Sequence, residues 1–261
     1  MPSRQDSLLS RLSLEMPSLR TTAIATVIVL CGAFALAFFY APNDADQGFV
    51  QKIFYLHVPI AICALAGFIV AAIHAIRHLR TGDPVHDMRA YVSIHMGVIF
   101  GTGALLTGAI WARAAWGKWW VWEEPTLVSF LIVYLLYATY YPLRYAIEDR
   151  ERQARYASVF AITAGAFVPL NFMAVRLAES LVHPRVFATS EGGLPGEMLF
   201  TFLVALAGMA LLFVTLSRFE LAAKATRGQI SRLRRALDSE APSAPTSRIA
   251  PSTPADTGRA G

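Results

Sequence analysis

Six apolar stretches, each near the length that crosses a bilayer as a helix, constrain this sequence more than any other feature. The hydrocarbon core of a membrane is roughly 30 Å thick and is spanned by about 20 apolar residues in helical form. A helix is favoured there because its backbone N–H and C=O groups form hydrogen bonds with one another, whereas lipid tails offer them no hydrogen-bond partners. The sequence therefore predicts an all-α integral membrane protein with six transmembrane helices. Their approximate ranges are 22–40, 53–76, 91–111, 126–142, 156–175 and 197–216.

Lys and Arg are distributed unevenly between the two sides of this membrane domain, residues 22–216. Of the 23 Lys and Arg residues, 18 fall on the side that holds the N-terminus. Cytoplasmic segments of membrane proteins carry such an excess of cations. The bias predicts that both termini are cytoplasmic, with residues 1–21 as a cytoplasmic N-terminal segment. The five cations left on the outer side are Lys52, Arg113, Lys118, Arg176 and Arg185.

The first apolar stretch also has features of a cleaved secretory signal. Arg20 precedes it, and Ala35-Leu36-Ala37 resembles a small-residue cleavage site. The apolar run nevertheless continues through residues 38–40, which makes it longer than the apolar part of a typical signal. We therefore expect a retained span. Cleavage would leave the other five spans in the same orientation.

The composition changes after the sixth stretch. Residues 217–237 are rich in Lys and Arg and predict an amphipathic basic helix on the cytoplasmic leaflet, where anionic lipids attract cations. Ser, Pro, Ala and Thr dominate residues 238–261, which predicts a disordered tail. The sequence contains no GxxxxGK[ST] phosphate-binding loop, so any use of ATP would come from a partner.

The outward loop between the third and fourth stretches holds four tryptophans within seven residues: Trp116, Trp119, Trp120 and Trp122. An aromatic belt at the headgroup level explains a lone tryptophan such as Trp111, but it requires no particular spacing. In this loop, Gly117 permits a turn and Glu123 follows the cluster directly. Clustered indoles offer flat apolar faces edged by N–H donors, which suits a large planar ligand with a charged rim, such as a porphyrin. Residues 112–125 are therefore a candidate ligand-binding loop, with the aromatic belt as the alternative.

The predicted topology divides the six histidines between the two faces of the membrane. His57 and His183 share the outer face with the tryptophans. Neutral imidazole is a good axial ligand for haem iron, and two imidazoles can bind the metal from opposite faces. A single histidine at an interface is more often a hydrogen-bonded surface residue. The inner histidines are expected to lie in a solvated loop (His74, His78 and His86) or one turn into the third stretch (His95).

Three sequence segments carry a resemblance to a known family. The chain resembles the tryptophan-rich-loop family of cytochrome c assembly and haem-handling proteins in the run from Tyr40-Ala41-Pro42 through Gln47-Gly48 to the Tyr-Leu-His-Val-Pro around His57, in the run Trp-Gly-Lys-Trp-Trp-Val-Trp at 116–122, and in the histidine of the last outer loop. Six spans in about 260 residues resemble its haem exporters more than its larger members. The resemblance covers most of residues 22–220. It departs after the last tryptophan, where Glu123 takes the place of the usual aspartate, and before His183, where some relatives carry tryptophans.

This resemblance implies a set of site residues and partners. It implies that b-type haem is bound transiently as cargo at the outer face of a bacterial inner membrane. The iron ligands would be His57 and His183, and the porphyrin would be surrounded by Trp116, Gly117, Trp119, Trp120, Trp122 and Glu123. The implied partners are a haem chaperone of the CcmE type, ABC transporter subunits of the CcmA and CcmB types, and a small membrane subunit of the CcmD type. The chain would then be a transport and assembly factor, with no enzymatic role of its own and no nucleic-acid partner.

Two functions of other classes are the alternatives to haem delivery. A membrane oxidoreductase subunit with haem b between its helices would use His95, but such a site needs a second histidine at matching depth. A small-solute transporter would place polar groups near the midplane, often in repeated halves, and the sequence gives no sign of either. Haem binding at the outer surface, followed by transfer to a chaperone, is therefore the predicted function.

Overall fold

The structure is a computed structural model that describes residues 19–177, 182–183 and 194–240. Within these residues the chain is helical apart from short connections, and no β-strand is formed. The α-helices, in chain order, are α1 (Leu19–Ala35), α2 (Phe54–Thr81), α3 (Pro84–Trp116), α4 (Pro125–Ala138), α5 (Tyr140–Tyr145), α6 (Arg150–Gly165), α7 (Phe167–Leu177) and α8 (Gly196–Glu240). A π-helical turn, Leu36–Tyr40, continues α1, and a 3₁₀ turn, Phe49–Ile53, leads into α2.

Six helical segments of the described chain are long and apolar enough to cross a membrane. They are spans 1 to 6: Leu19–Tyr40, Phe49–Thr81, Pro84–Trp116, Pro125–Tyr145, Arg150–Met173 and Gly196–Asp238. Each coincides with one predicted stretch, and most are longer at one or both ends. The all-α, six-helix membrane fold predicted from the sequence is confirmed, whereas the cytoplasmic placement of the termini stays a prediction.

Local signals set the ends of the helix that leads to the tryptophan loop. The carboxylate of Asp83 accepts a hydrogen bond from the backbone N–H of Val85 at 2.9 Å, so α3 begins with a capped N-terminus and with Pro84 at its first position. At its other end, Gly117 has a φ of 74°, a left-handed conformation that residues with a Cβ atom avoid. The next helix then begins at Pro125. The loop is therefore held between two defined helix ends.

The helices pack through close contacts around α2. The most extensive pairing is between α2 and α3, and α6 packs against α2 as well. Tyr137 of α4 joins these elements: its ring stacks on Phe68 at 4.0 Å between centroids, and its hydroxyl donates to the carbonyls of Phe68 and Ala161, each at 3.1 Å. Helix association in lipid depends on such packing and on interhelical hydrogen bonds, since apolar burial gives little driving force there.

A nearly buried ion pair joins spans 3 and 4 at the end remote from the tryptophan loop. Arg144 donates from its two terminal nitrogens to the two carboxylate oxygens of Asp87, at 2.7 and 2.6 Å. It also donates to the hydroxyl of Tyr140 at 2.8 Å. This two-point geometry is the strongest form of an Arg–carboxylate pair, and it compensates two charges that would be costly alone.

The chain divides into two compact units, Met1–Ala225 and Thr226–Gly261. In the second unit, residues 226–240 are described, and they are helical with mostly exposed side chains. The predicted basic segment, residues 217–237, falls within α8, and its location on the inner leaflet stays a prediction. Most of the predicted N-terminal segment, residues 1–18, and nearly all of the predicted tail, from residue 241, lie outside the described residues.

Candidate functional site

A mainly apolar cavity lies between α2, α3, α4 and α7, at the end of the spans where residues 117–124 connect α3 to α4. This is the tryptophan end of the spans. The cavity has a volume of about 330 Å³. Both histidines predicted on the outer face line it, and so do two of the four loop tryptophans: His57, His183, Trp116 and Trp120. The structure thus brings together around one space residues from three separate parts of the sequence.

Hydrogen bonds around His57 assign the proton to one of its two ring nitrogens. Its Nδ1 atom lies 3.0 Å from the hydroxyl oxygen of Thr107. That hydroxyl donates to the carbonyl of Gly103 at 2.8 Å, so its oxygen is left to accept a hydrogen bond from the imidazole. Nδ1 of His57 therefore carries the proton, and Nε2 keeps the lone pair that binds a metal.

Two further residues of α3 hold the His57 ring in place. A Cβ atom at Gly108 would lie 2.8 Å from Cε1 of the ring, so the imidazole packs directly on this glycine. The indole of Trp111 meets the ring edge-on, with centroids 5.7 Å apart, and its N–H donates to the side chain of Gln47 at 2.8 Å. Trp111 is only 8% exposed and lines the cavity, so the aromatic-belt interpretation of this residue is wrong. Sequence reasoning did not select these three residues; the helical spacing of positions 107, 108 and 111, which puts them on one face, is the signal that could have found them.

His183 is held by a residue that the sequence interpretation did not select. The side chain of Glu124 is 0% exposed, and its Oε2 atom accepts hydrogen bonds from the backbone N–H groups of Val182 and His183, at 3.0 and 3.3 Å. The ring of His183 lies 6.3 Å from that of Trp116, centroid to centroid. Glu123, which was predicted to lie at the porphyrin, is exposed and does not line the cavity.

The four loop tryptophans fall into two pairs. Trp116 and Trp120 line the cavity, whereas Trp119 and Trp122 are 61% and 69% exposed. The indole N–H of Trp120 has no hydrogen-bond partner among the described residues. Gly117, which is exposed, makes the turn that starts the loop, and the guanidinium of Arg113 donates to its carbonyl. The loop thus presents aromatic surface both towards the cavity and away from it.

The structure separates the predicted outer cations by position. Arg176, near the end of α7, lines the cavity. Lys52 donates to the carbonyls of Ala41 and Pro42, and Lys118 is exposed away from the cavity wall. Arg185 lies outside the described residues. Among the described residues, Arg176 is the one Lys or Arg on this mainly apolar wall, which favours a ligand that is apolar in its body and anionic at one edge.

The remaining histidines lie elsewhere and have partners of their own. His74 and His86 place their Nδ1 atoms 3.2 Å apart, and His78 lies 2.9 Å from the hydroxyl of Ser158. They belong to α2 and α3, so the expectation of a solvated loop is wrong; the helices run on to Thr81 and start again at Pro84. His95 lies 3.6 Å from a carboxylate oxygen of Glu220 and contacts two tyrosine rings. None of the four lines the cavity.

The chain is similar over most of its length to proteins of one family. The family model described as Heme exporter protein C matches residues 8–236. The Heme exporter protein C of Paracoccus denitrificans is 31% identical over 209 residues, which cover 76% of this chain and 85% of that relative. That of Bradyrhizobium diazoefficiens is 34% identical over 196 residues, with 74% and 73% covered. That of Escherichia coli K12 is 32% identical over 148 residues, with 57% and 60% covered.

Proposed function

This chain belongs to the heme exporter protein C family, and we propose that it acts in haem export for cytochrome c maturation by binding haem at its tryptophan end. One observation carries the proposal: two imidazoles and two indoles, from three separate parts of the sequence, line the same mainly apolar cavity. Haem is a flat apolar ring with a metal at its centre and two carboxylates on one edge. The cavity offers groups suited to each of these parts.

The iron of the bound haem takes its axial ligands from His57 and His183. Nε2 of His57 carries the free lone pair, because Nδ1 donates to Thr107. Bis-histidine ligation is a common way of holding haem iron in a low-spin state. Trp116 and Trp120 then contact the face and the edge of the porphyrin. Apolar burial and ring–ring contacts of their indoles stabilise the bound haem. The haem is b-type and bound transiently, as cargo.

The porphyrin extends beyond the cavity when it is bound. A volume of about 330 Å³ is at the lower end of the usual range for ligand sites, which is roughly 300–1,000 Å³. One edge of the haem is therefore presented outside the cavity wall, where the exposed Trp119 and Trp122 add aromatic surface. Arg176 lines the cavity and pairs with a propionate. An edge held in this way is accessible to a receiving protein.

The partners are proposed from membership of the family. ATP is used by ABC transporter subunits of the CcmA and CcmB types, joined by a small membrane subunit of the CcmD type; the lack of a phosphate-binding loop in this sequence agrees with that division of roles. The haem is received by a chaperone of the CcmE type. The chain is a multi-pass protein of a bacterial inner membrane, with the tryptophan end in the periplasm. It serves as a transport and assembly factor.

The ligand assignment is tested with the purified full-length protein loaded with haem. The wild-type protein should give the optical spectrum of six-coordinate, low-spin haem. His57→Ala and His183→Ala should each remove one axial ligand, and the double variant should lose most of the bound haem. His95→Ala is the matched control, because His95 is also a histidine of a span and lies away from the cavity; its spectrum should be unchanged. Unaltered haem content and spectrum in the double variant would refute the assignment, and loss of haem from His95→Ala alone would favour an oxidoreductase-type site.

A further inference from the structure

The buried carboxylate of Glu124 joins the tryptophan loop to the segment that carries His183. We propose that Glu124 is a positioning residue, which sets the backbone of His183 so that its imidazole faces the cavity. The inference rests on the proposed function, in which His183 is an axial ligand of haem iron. Glu124 does not itself touch the haem in this arrangement; it acts through His183.

The geometry at Glu124 is that of a fixed anchor. One oxygen, Oε2, accepts from two consecutive backbone amides, those of Val182 at 3.0 Å and His183 at 3.3 Å. The side chain is 0% exposed, and a buried carboxylate is costly unless hydrogen bonds of this kind compensate it. Two bonds to adjacent amides fix the direction of the backbone at His183. They therefore restrict where its side chain begins and which way it points.

Glu124 is in turn held firmly at the start of α4. Its backbone N–H donates to the carbonyl of Val121 at 3.3 Å, and its carbonyl accepts from the N–H of Val128 at 3.2 Å. Pro125, the next residue, is the first of the helix, so the carboxylate lies at a helix N-terminus, where negative charge is favoured. The position of the Glu124 carboxylate is thus fixed by the first turn of α4.

The tryptophan loop contacts His183 at a second point as well. The Trp116 ring lies 6.3 Å from the His183 ring, at 65° between their planes. One end of the loop therefore packs beside the imidazole, while the other end, through Glu124, holds its backbone. Glu124 is separated from His183 by 59 positions in the sequence. The two outer segments form one ligand-bearing unit.

The neighbouring acid provides a matched control for the experiment. Glu123 is exposed, whereas Glu124 is fully buried, so replacing each in turn removes the same charge one position apart. Hydrogen–deuterium exchange of the Val182 and His183 amides in the haem-free full chain is the first measurement. Glu124→Ala should raise their exchange rates about 10-fold or more, since bonds to a charged acceptor typically contribute that much. Glu124→Gln, which keeps a neutral acceptor oxygen, should give a smaller rise, and Glu123→Ala should give none.

The haem spectrum is the second measurement, and it separates positioning from general loss of structure. Glu124→Ala should convert six-coordinate low-spin haem into a five-coordinate form, as His183→Ala does. Added imidazole should restore the low-spin spectrum in both variants, because it supplies the missing ligand to an intact cavity. Glu124→Gln should keep a larger low-spin fraction, and it carries the test if Glu124→Ala does not accumulate in membranes.

The outcomes distinguish this inference from the proposed function. If His183→Ala loses the sixth ligand while Glu124→Ala and Glu124→Gln keep it with slow amide exchange, Glu124 does not position His183 and the ligation proposal stands. If Glu124→Ala loses its haem spectrum and imidazole does not restore it, the role is structural and the inference is overturned. If His183→Ala itself keeps the sixth ligand, the proposed ligation fails, and the inference fails with it.

Discussion

At the residue scale, the His57 imidazole is held on two sides by neighbours of different kinds. The hydroxyl oxygen of Thr107 accepts a hydrogen bond from Nδ1, and the absence of a side chain at Gly108 lets the ring lie against the helix backbone. The first contact decides which nitrogen can bind a metal, and the second decides how deep the ring lies in the cavity. Both contacts are made by α3, so the ligand geometry of His57 is a property of the α2–α3 pair.

Gly108→Ala should displace the His57 ring. The added Cβ would lie 2.8 Å from Cε1 of the imidazole, closer than side-chain carbon atoms approach, so the ring must move. We expect haem binding to weaken on the order of 10-fold, which corresponds to about 1.4 kcal/mol, measured by haem titration. Gly103→Ala on the same helix is the control, because its Cβ would come no closer than 3.6 Å to Ile60. Equal binding by the two variants would contradict this account of the ring.

Arg176→Ala should weaken haem binding by about threefold to tenfold, because it removes a charge-assisted hydrogen bond at a partly solvated position. Lys118→Ala, which also removes a cation at the tryptophan end, but at a position away from the cavity, should leave binding unchanged. Haem with esterified propionates is the decisive ligand. The wild-type protein and Arg176→Ala should bind it equally, and a persisting difference between them would show that Arg176 does not act on a propionate.

The identity of the acidic residue behind the tryptophans illustrates what a sequence pattern leaves undecided. The family resemblance implied a carboxylate at the porphyrin directly after Trp122, and it selected Glu123. In the structure Glu123 is exposed, and the next residue, Glu124, is buried against Val182 and His183. The side chains of adjacent residues in a turn point in different directions. Which of the two acids is buried depends on its contact with residues 182 and 183, which are far away in the sequence. Such a tertiary contact has no local sequence signal.

At the scale of elements, the six spans were predictable and their ends were not. Apolar length is a local property, so each span appears directly in the sequence. The end of α2 and the start of α3 carry His, Arg and Asp, a composition typical of a solvated loop. Nevertheless α2 continues to Thr81, and α3 already begins at Pro84. Long charged side chains can reach water from the last turns of a helix, so polarity alone does not end one. The pairing of Asp87 with Arg144 is likewise a tertiary result.

Gly117→Ala should change the direction in which the tryptophan loop leaves α3. Gly117 has a φ of 74°, and a side chain there costs on the order of 1 kcal/mol of backbone strain. Gly82 is a matched control at the opposite end of the helix pair: its φ is 65°, and at both glycines an added Cβ has nothing within 4 Å. Both variants should lose similar thermal stability, but only Gly117→Ala should lose haem, severalfold, in a titration. Equal haem binding by the two would show that the loop direction is not critical.

At the scale of the whole molecule, orientation follows from charge and not from packing. The helical core would be the same with either face outward, and only the distribution of Lys and Arg selects one of them. For that reason the number of spans can be predicted from apolar length alone, whereas the predicted placement of the tryptophan end in the periplasm depends on a separate physical effect. It needs a test of its own.

Cysteine labelling in intact cells tests the orientation. In a background with Cys31→Ala and Cys63→Ala, Lys118→Cys should react with a membrane-impermeant maleimide added outside, once the outer membrane is made permeable. Glu148→Cys, in the exposed connection between α5 and α6, should react only after the inner membrane is opened. Both positions are solvent-exposed, so accessibility differs only by the side of the membrane. The reverse pattern would invert the topology and place the cavity on the cytoplasmic side.

The placement of the tryptophans also has an optical consequence. All five tryptophans of the chain lie between positions 111 and 122, and three of them, Trp111, Trp116 and Trp120, line the cavity. The tryptophan fluorescence of this protein therefore arises from one end of α3 and the loop beside it. A haem bound there absorbs where indoles emit, and it quenches nearly the whole signal by energy transfer. The unlabelled chain can thus report loading and release of its cargo in real time, including transfer to a partner that contains no tryptophan.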